Sequence, residues 1–329
     1  MQSKHMYQTQ KYKKRQNPNF CIKIDKFTRH CKSQYPYIMP LSISDGALPW
    51  QRLAVKHAHP RDERISFEEE THTYTIDGTK EGWTSCTGFI HGFFEAFDPD
   101  SVIKKMMSSR KWSESKYYGM TAEQIKKQWT DSGTEASEAG TRMHLDIERY
   151  NNAEPVGNLA GDDWMPNPGS EWDYFLEYER KHRIKKGFQP FRTEWLVFKE
   201  DIKLAGSIDM LYMKPDGTLA IYDWKRAKDM KMENSYQSGR APLNHLPDTN
   251  YWHYSLQLNI YRRIIEEFYG YTVSEMALVV LHPNNKNFKV YMLNRMDDEV
   301  TAMFEDRREK LKAIEAAKAR GETIVPDKH

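Results

Sequence analysis

Two short segments carry the residue types best suited to chemistry: Ile208-Asp209-Met210 and Ile221-Tyr222-Asp223-Trp224-Lys225. If each is a strand, residues two apart share a face. Asp223 and Lys225 then project together, with Leu219 and Ile221 behind them. Pro215-Asp216-Gly217 is a strong turn signal, and a hairpin across it brings Asp209 alongside. Two carboxylates and an ammonium meet on a largely apolar sheet. Charges in that setting are costly without partners. A divalent cation meets the need, because carboxylate oxygens are natural ligands of Mg²⁺. A protonated lysine is not a ligand. It can orient or deprotonate a water, or neutralise charge developing on a phosphate. An isolated Asp-x-Lys would be an ordinary ion pair at a sheet edge, and the second aspartate on the preceding strand sets this one apart.

A second group lies upstream, in Gly140-Thr141-Arg142-Met143-His144-Leu145-Asp146-Ile147-Glu148. On a helix, His144 and Glu148 are four apart and share a face. Met143 and Ile147, with Ala136 and Ala139, form the neighbouring apolar stripe. Gly140, one turn before His144, permits close backbone approach. A third group lies downstream: Gln257 and Tyr261, again four apart, beside the stripe of Leu256, Ile260, Ile264, Ile265 and Phe268. A glutamine there can donate to a phosphate or to a carboxylate ligand.

The elements that must position these residues follow from periodicity. Residues 71–76 alternate and run into Asp77-Gly78, which reads as a strand entering a hairpin. Residues 98–131 read as a helix with Trp112 and Trp129 as core anchors, broken at Ser132-Gly133-Thr134 before a second helix over 135–151. Ser170 caps a helix to about 186, with Trp172, Phe175 and Leu176 on a buried stripe. Segments 194–199, 203–213 and 218–226 read as three consecutive strands. Residues 227–250 are too long for a simple connection and, with Lys228, Lys231 and Arg240, suit a strand guide or lid. A helix over 251–269, strands over 276–282 and 288–293 and a charged helix over 297–320 complete the chain. This order fits an α/β fold with a mixed central sheet covered by helices.

The chain has 329 residues, 49 Lys and Arg against 47 Asp and Glu, and 39% hydrophobic residues, enough for a buried core. The near-zero balance argues against a purely electrostatic nucleic-acid coat. The charge is uneven, however: the first 35 residues hold nine Lys and Arg against Asp25 alone, a basic arm suited to a polyanion. With Pro36, Pro40, Pro49 and Pro60, residues 1–64 read as an irregular basic extension, and 65–329 as the folded domain. There is no apolar run of membrane-spanning length and no secretory signal at the N-terminus. Cys21, Cys31 and Cys86 cannot build a disulfide framework, so a reducing intracellular compartment is the simplest expectation.

The elements G-T-x-x-H-x-x-x-E, G-S-I-D, Y-D-W-K and Q-x-x-x-Y, in that order, resemble the PD-(D/E)XK nuclease superfamily, and within it the RecB-type domain and phage and viral exonucleases. The likeness covers about residues 66–295. It implies a restriction-endonuclease-like fold and a Mg²⁺- or Mn²⁺-dependent deoxyribonuclease with one or two ions. Asp209, Asp223 and the Trp224 backbone carbonyl would be metal ligands, Lys225 the catalytic lysine and His144 an additional ligand. Glu194 stands where such nucleases often carry a Glu, and Glu148 would support His144 or a second ion. Gln257 and Tyr261, with Thr141, would contact DNA and support the site. The substrate implied is linear double- or single-stranded DNA, in repair, recombination or viral and phage genome processing. An exonuclease is the first reading and a structure-selective endonuclease the second. A non-catalytic DNA-binding scaffold would be expected to lose the lysine or an aspartate, and all three remain. The cysteines do not suit an iron–sulfur cluster, and no P-loop motif for ATP is present, so a helicase or recombination partner would be a separate protein.

Overall fold

The computed structural model describes residues 51–158 and 164–322. The basic run of the first 35 residues, Pro36, Pro40, Pro49, Cys21 and Cys31 lie outside them. Among the described residues, no helix is long and apolar enough to cross a membrane. Residues 51–64, placed by composition in the extension, contain helix α1 (Arg52–Lys56) and a 3₁₀ turn at Asp62–Arg64. They pack on the body: Leu53 is buried, and Asp62 accepts bonds from Arg192 and Trp195, each 2.7 Å.

A small antiparallel ribbon follows, β1 (Ile65–Glu68) with β2 (Thr73–Ile76). The turn expected at Asp77-Gly78 does not join two strands. Ile76 and Thr79 bond each other's backbone at 3.0 Å, and Asp77 takes the Arg64 guanidinium through both oxygens. Next come β3 (Thr84–Ser85) and α2 (Cys86–His91).

The helical region differs from the expectation. The first helix, α3, is only Pro99–Met107, and α4 runs unbroken over Ala122–Asn152, straight through Ser132-Gly133-Thr134. Thr121 and Gln124 form a reciprocal capping box that fixes where α4 starts. The helix runs on through these polar residues, with the Thr130 and Thr134 hydroxyls donating back to the carbonyls of Lys126 and Thr130. Trp112 and Trp129 are half-buried, while Ile103 and Ile125 are the buried anchors.

The rest follows the expected order: α5 (Ser170–Tyr178), a π-turn (Glu179–Arg183), α6 (Ile184–Lys186), β4 (Gln189–Lys199), β5 (Leu204–Met213), β6 (Leu219–Lys225), α7 (Asn250–Phe268), β7 (Val273–Val280), β8 (Lys289–Met292) and α8 (Asp297–Ala319). Phe175 and Tyr178 form the buried stripe of α5; Leu176 is exposed.

Six strands make one mixed sheet in the order β3-β5-β6-β7-β8, with β4 also paired to β5. Strands β4–β5, β5–β6 and β7–β8 are antiparallel, and β6–β7 and β3–β5 parallel. Along β6, Leu219 and Ile221 enter one core with α2, α7 and α8, whereas Ala220, Tyr222 and Trp224 enter the other with α4 and α5. The sheet is therefore a wall between two apolar layers.

Strand β5 has three partners. β4 takes one edge along its length, so β3 and β6 share the other, at Leu204–Ala205 and Met210–Met213. Between them, residues 206–209 face a fork with no strand alongside among the described residues. Tyr261 of α7 fills its inner end: a Cβ on Gly206 would lie 2.5 Å from the Tyr261 ring, so only glycine fits. Asp209 stands at its outer end.

Residues 226–249 hold no helix or strand but are anchored. Met230, Leu243 and Leu246 are buried, Arg240 donates its N–H to the Phe93 carbonyl, and Asn250 bonds Lys231 and Asp229. Tyr236 stands out at 96% exposed.

Candidate active site

The fork positions the acids. Asp209 and Glu194 sit across β4–β5 between the pairs Thr193–Met210 and Trp195–Ile208. The strand pair is distorted there. Glu194 has φ +44°, a left-handed conformation that a non-glycine residue adopts at a cost. On β5, Ile208 enters the α7 layer and Met210 the α4 layer although they are two apart, so the alternation slips at Asp209. Asp209 thereby turns to the parting edge of β6, where its Oδ2 accepts the Trp224 N–H at 3.0 Å. The Ser207 hydroxyl donates to Glu194 Oε2 at 3.0 Å and holds the second acid.

His144 arrives from α4, on the other layer. A carbonyl only accepts, so the 2.9 Å contact with Trp224 O makes Nε2 a donor and turns Nδ1 to the acids. Nδ1 lies 3.6 Å from Asp209 Oδ2 and 3.8 Å from Glu194 Oε1. Ligand atoms of His144, Glu194 and Asp209 all fall within 4.8 Å of one another. Burial lowers the affinity of His144 for its proton, but Asp209 and Glu194 outweigh burial and raise its pKa to about 9.

Asp223 and Lys225 lie beside this trio on the α7 side of β6. Lys225 Nζ is 2.6 Å from Asp223 Oδ2 and 4.5 Å from the centre of the Tyr254 ring. Burial and the Asp209 charge push the Asp223 carboxyl up to about 7, against the pull of Lys225. Burial opposes the Lys225 ammonium, yet Asp223 and Asp209 raise its pKa above the usual lysine value. Gln257 donates to the Tyr261 hydroxyl at 3.2 Å and lies 3.4 Å from the Thr87 hydroxyl. Tyr254, Gln257 and Tyr261 thus line one face of α7, at steps of three and four.

The structure therefore gathers His144, Glu194, Asp209, Asp223, Lys225 and the Trp224 backbone into one place, with Gln257 and Tyr261 behind the fork. Glu148 is half-buried one turn along α4 and Thr141 is exposed one turn back; neither is in the close trio. Ser207 and Tyr254 escaped sequence reasoning. Their signals were available: Ser207 is two residues from Asp209 on a strand, and Tyr254 is three from Gln257 on a helix.

One imidazole nitrogen and two carboxylates suit a divalent cation that takes oxygen and nitrogen donors, and Mg²⁺ and Mn²⁺ fit that set. The charge balance agrees. Three acids, Glu194, Asp209 and Asp223, face one ammonium, and His144 holds a proton against burial because of the excess. A cation and the Nδ1 proton compete for the same place.

A family model for the PD-(D/E)XK nuclease superfamily matches residues 113–327, about two thirds of the chain. No curated protein matches it. Among solved structures, one of SSO0001 is similar at 16% identity over 71% of this chain and 78% of that one, with a TM-score of 0.28. One of a protein from Eubacterium rectale, provisionally named an exonuclease, is similar at 11% identity over 74% and 83%, with a TM-score of 0.32. The family match spans every element that builds the site except α2 and β3, and with it the chain belongs to the PD-(D/E)XK nuclease superfamily.

Proposed function

We propose that this nuclease hydrolyses DNA phosphodiester bonds with one or two Mg²⁺ or Mn²⁺ ions, and that it works from DNA ends as an exonuclease. The observation that carries the reading is the convergence of His144 Nδ1, Glu194 Oε1 and Asp209 Oδ2 at the fork, beside the Asp223–Lys225 pair. His144, Glu194 and Asp209 would hold the cation, with Asp223 and the Trp224 carbonyl next to them. A bound divalent cation supplies Lewis acidity towards the phosphate and the attacking water.

The chain's own residues do the rest. Ser207 orients Glu194, and the Trp224 N–H orients Asp209. Lys225 is held between Asp223 and the Tyr254 ring as an ammonium, so it presents N–H donors to a phosphate oxygen and neutralises charge that develops there. Water orientation is its other role. Gln257, fixed by Tyr261, offers an amide donor to the DNA backbone. The Gln257–Tyr261 spacing recurs in end-processing relatives and favours the exonuclease over a structure-selective endonuclease. Repair, recombination and viral or phage genome processing all suit such an activity.

The test uses linear and covalently closed circular DNA with Mg²⁺, Mn²⁺ or EDTA, beside Lys225→Ala. Metal-dependent loss of linear DNA alone, absent in the variant, is the expected result. Cutting of the circle would make the enzyme an endonuclease on the same residues. Unchanged turnover by Lys225→Ala would overturn the assignment of the site.

A further inference from the structure

The helix that delivers His144 extends far beyond the body. Residues 139–152 of α4 pack inward through Met143, Asp146, Ile147, Asn151 and Asn152. The nine residues 130–138 are all exposed, so this part of α4 is a bare shaft. At its outer end the chain builds a second, small cluster. Ile103 of α3 and Ile125 of α4 are buried, Lys126 pairs with Asp100 at 2.8 Å, and Trp129 Nε1 donates to the Tyr117 hydroxyl at 2.7 Å. A helix left unpacked over two turns, with a folded knob at its tip, is an arm.

The chemistry of the knob points to its occupant. Residues 97–129 hold seven Lys and Arg against four Asp and Glu, in a chain whose totals are nearly equal. Lys104, Lys105, Arg110, Lys111 and Lys116 are exposed. The same surface carries rings: Phe97 is 70% and Tyr118 62% exposed, and Trp129 and Trp112 are half-buried beside them. Exposed cations among exposed rings suit a single nucleic-acid strand, whose phosphates meet the cations and whose bases stack. The shaft agrees in charge. At about 100° per residue, Gly133, Ser137 and Gly140 lie on the His144 face, and Asp131, Glu135 and Glu138 point to the sides and back. Among the described residues of the shaft, 130–140, the face shared with His144 carries no acid.

We propose that this arm binds the part of a single DNA strand that extends beyond the active site, so that the enzyme grips its substrate at two points. The inference rests on the nuclease reading of the His144 site. From His144 to Trp129 the helix spans about 22 Å, the length of roughly seven stacked nucleotides. Strands shorter than this reach the site but not the knob.

The test replaces four exposed cations together (Lys104→Ala, Lys105→Ala, Arg110→Ala, Lys111→Ala) in the full chain, with Tyr118→Ala as a second variant. Affinity for single-stranded 6-mer and 20-mer DNA is measured in Ca²⁺ across a salt series, with sedimentation in parallel. The expected result is about ten-fold or greater loss on the 20-mer with a shallower salt slope, little change on the 6-mer, and a smaller loss on the 20-mer for Tyr118→Ala. Equal losses on both lengths, or none, would overturn the proposal. A change of assembly mass with DNA binding intact would also overturn it and make the arm a contact between copies. Absence of cleavage by the wild-type chain on any DNA would instead remove the nuclease reading beneath it.

Discussion

Two groups of charge, one closed off and one partly open, lie in this molecule. Behind the sheet, Glu179 and Arg183 of the π-turn are 1% and 7% exposed and paired with each other, and Arg183 also donates to the Phe188 carbonyl. At the fork, Glu194, Asp209 and Asp223 share Lys225 and the His144 imidazole. The Glu179 and Asp223 carboxyls are both pushed up to about 7. The causes differ. Burial raises Glu179 while Arg183 opposes it; Asp223 is raised by burial and then by another acid. A one-to-one pair closed on all sides is structure. A surplus of acid at a gap in a sheet is an arrangement a cation would suit. Burial and perturbed ionisation alone do not separate the two; the charge count and the opening do.

Substitutions should divide along that line. Asp209→Asn keeps an acceptor for the Trp224 N–H and removes a charge. Cleavage should fall by about 10³-fold or more, while the melting temperature in EDTA holds or rises. Asp223→Ala should likewise abolish cleavage with the fold intact, and normal turnover by either variant would remove the metal-site assignment. Glu179→Ala should do the opposite. It strands Arg183 in the interior and should cost about 3–5 kcal/mol in a denaturant titration, with turnover per folded molecule retained. A loss of turnover at full stability would make the rear pair part of the site.

Smaller effects sharpen the geometry. Gly206→Ala places a methyl against the Tyr261 ring and should cost about 1–3 kcal/mol, with weaker DNA binding through the displaced Gln257. At Glu194, both Ala and Gly should lose activity, but the Gly variant should be the more stable by about 1 kcal/mol because φ is +44° there. Equal stabilities would show that the left-handed conformation relaxes once the carboxylate is gone. A further effect is in pH. The folded metal-free protein holds the His144 proton to about pH 9, against 6.5 in the unfolded chain. The resulting stability is complete below about pH 6.5 and is lost as pH rises through about 9. In EDTA, wild type should lose melting temperature over that window relative to His144→Ala, and saturating Mn²⁺ should remove the difference by displacing the proton.

Much of this was legible in one dimension because it is local. The turn at Pro215-Asp216-Gly217 sets the hairpin, period two puts Asp223 and Lys225 on one face, and the stripe from Leu256 to Phe268 marks α7 and the face of Gln257 and Tyr261 beside it. These are properties of residues two to four apart, which the chain determines without reference to the rest of the fold. The unbroken α4 was not legible. Ser132-Gly133-Thr134 has the composition of a break, yet the helix runs through it between buried Ile125 and buried Met143. Local periodicity was enough to place the candidate residues of β5, β6 and α7 on their elements. Glu194 meets His144 and Asp209 only in the assembled fold, because β4, β5 and α4 must come together where β3 and β6 part along one edge of β5.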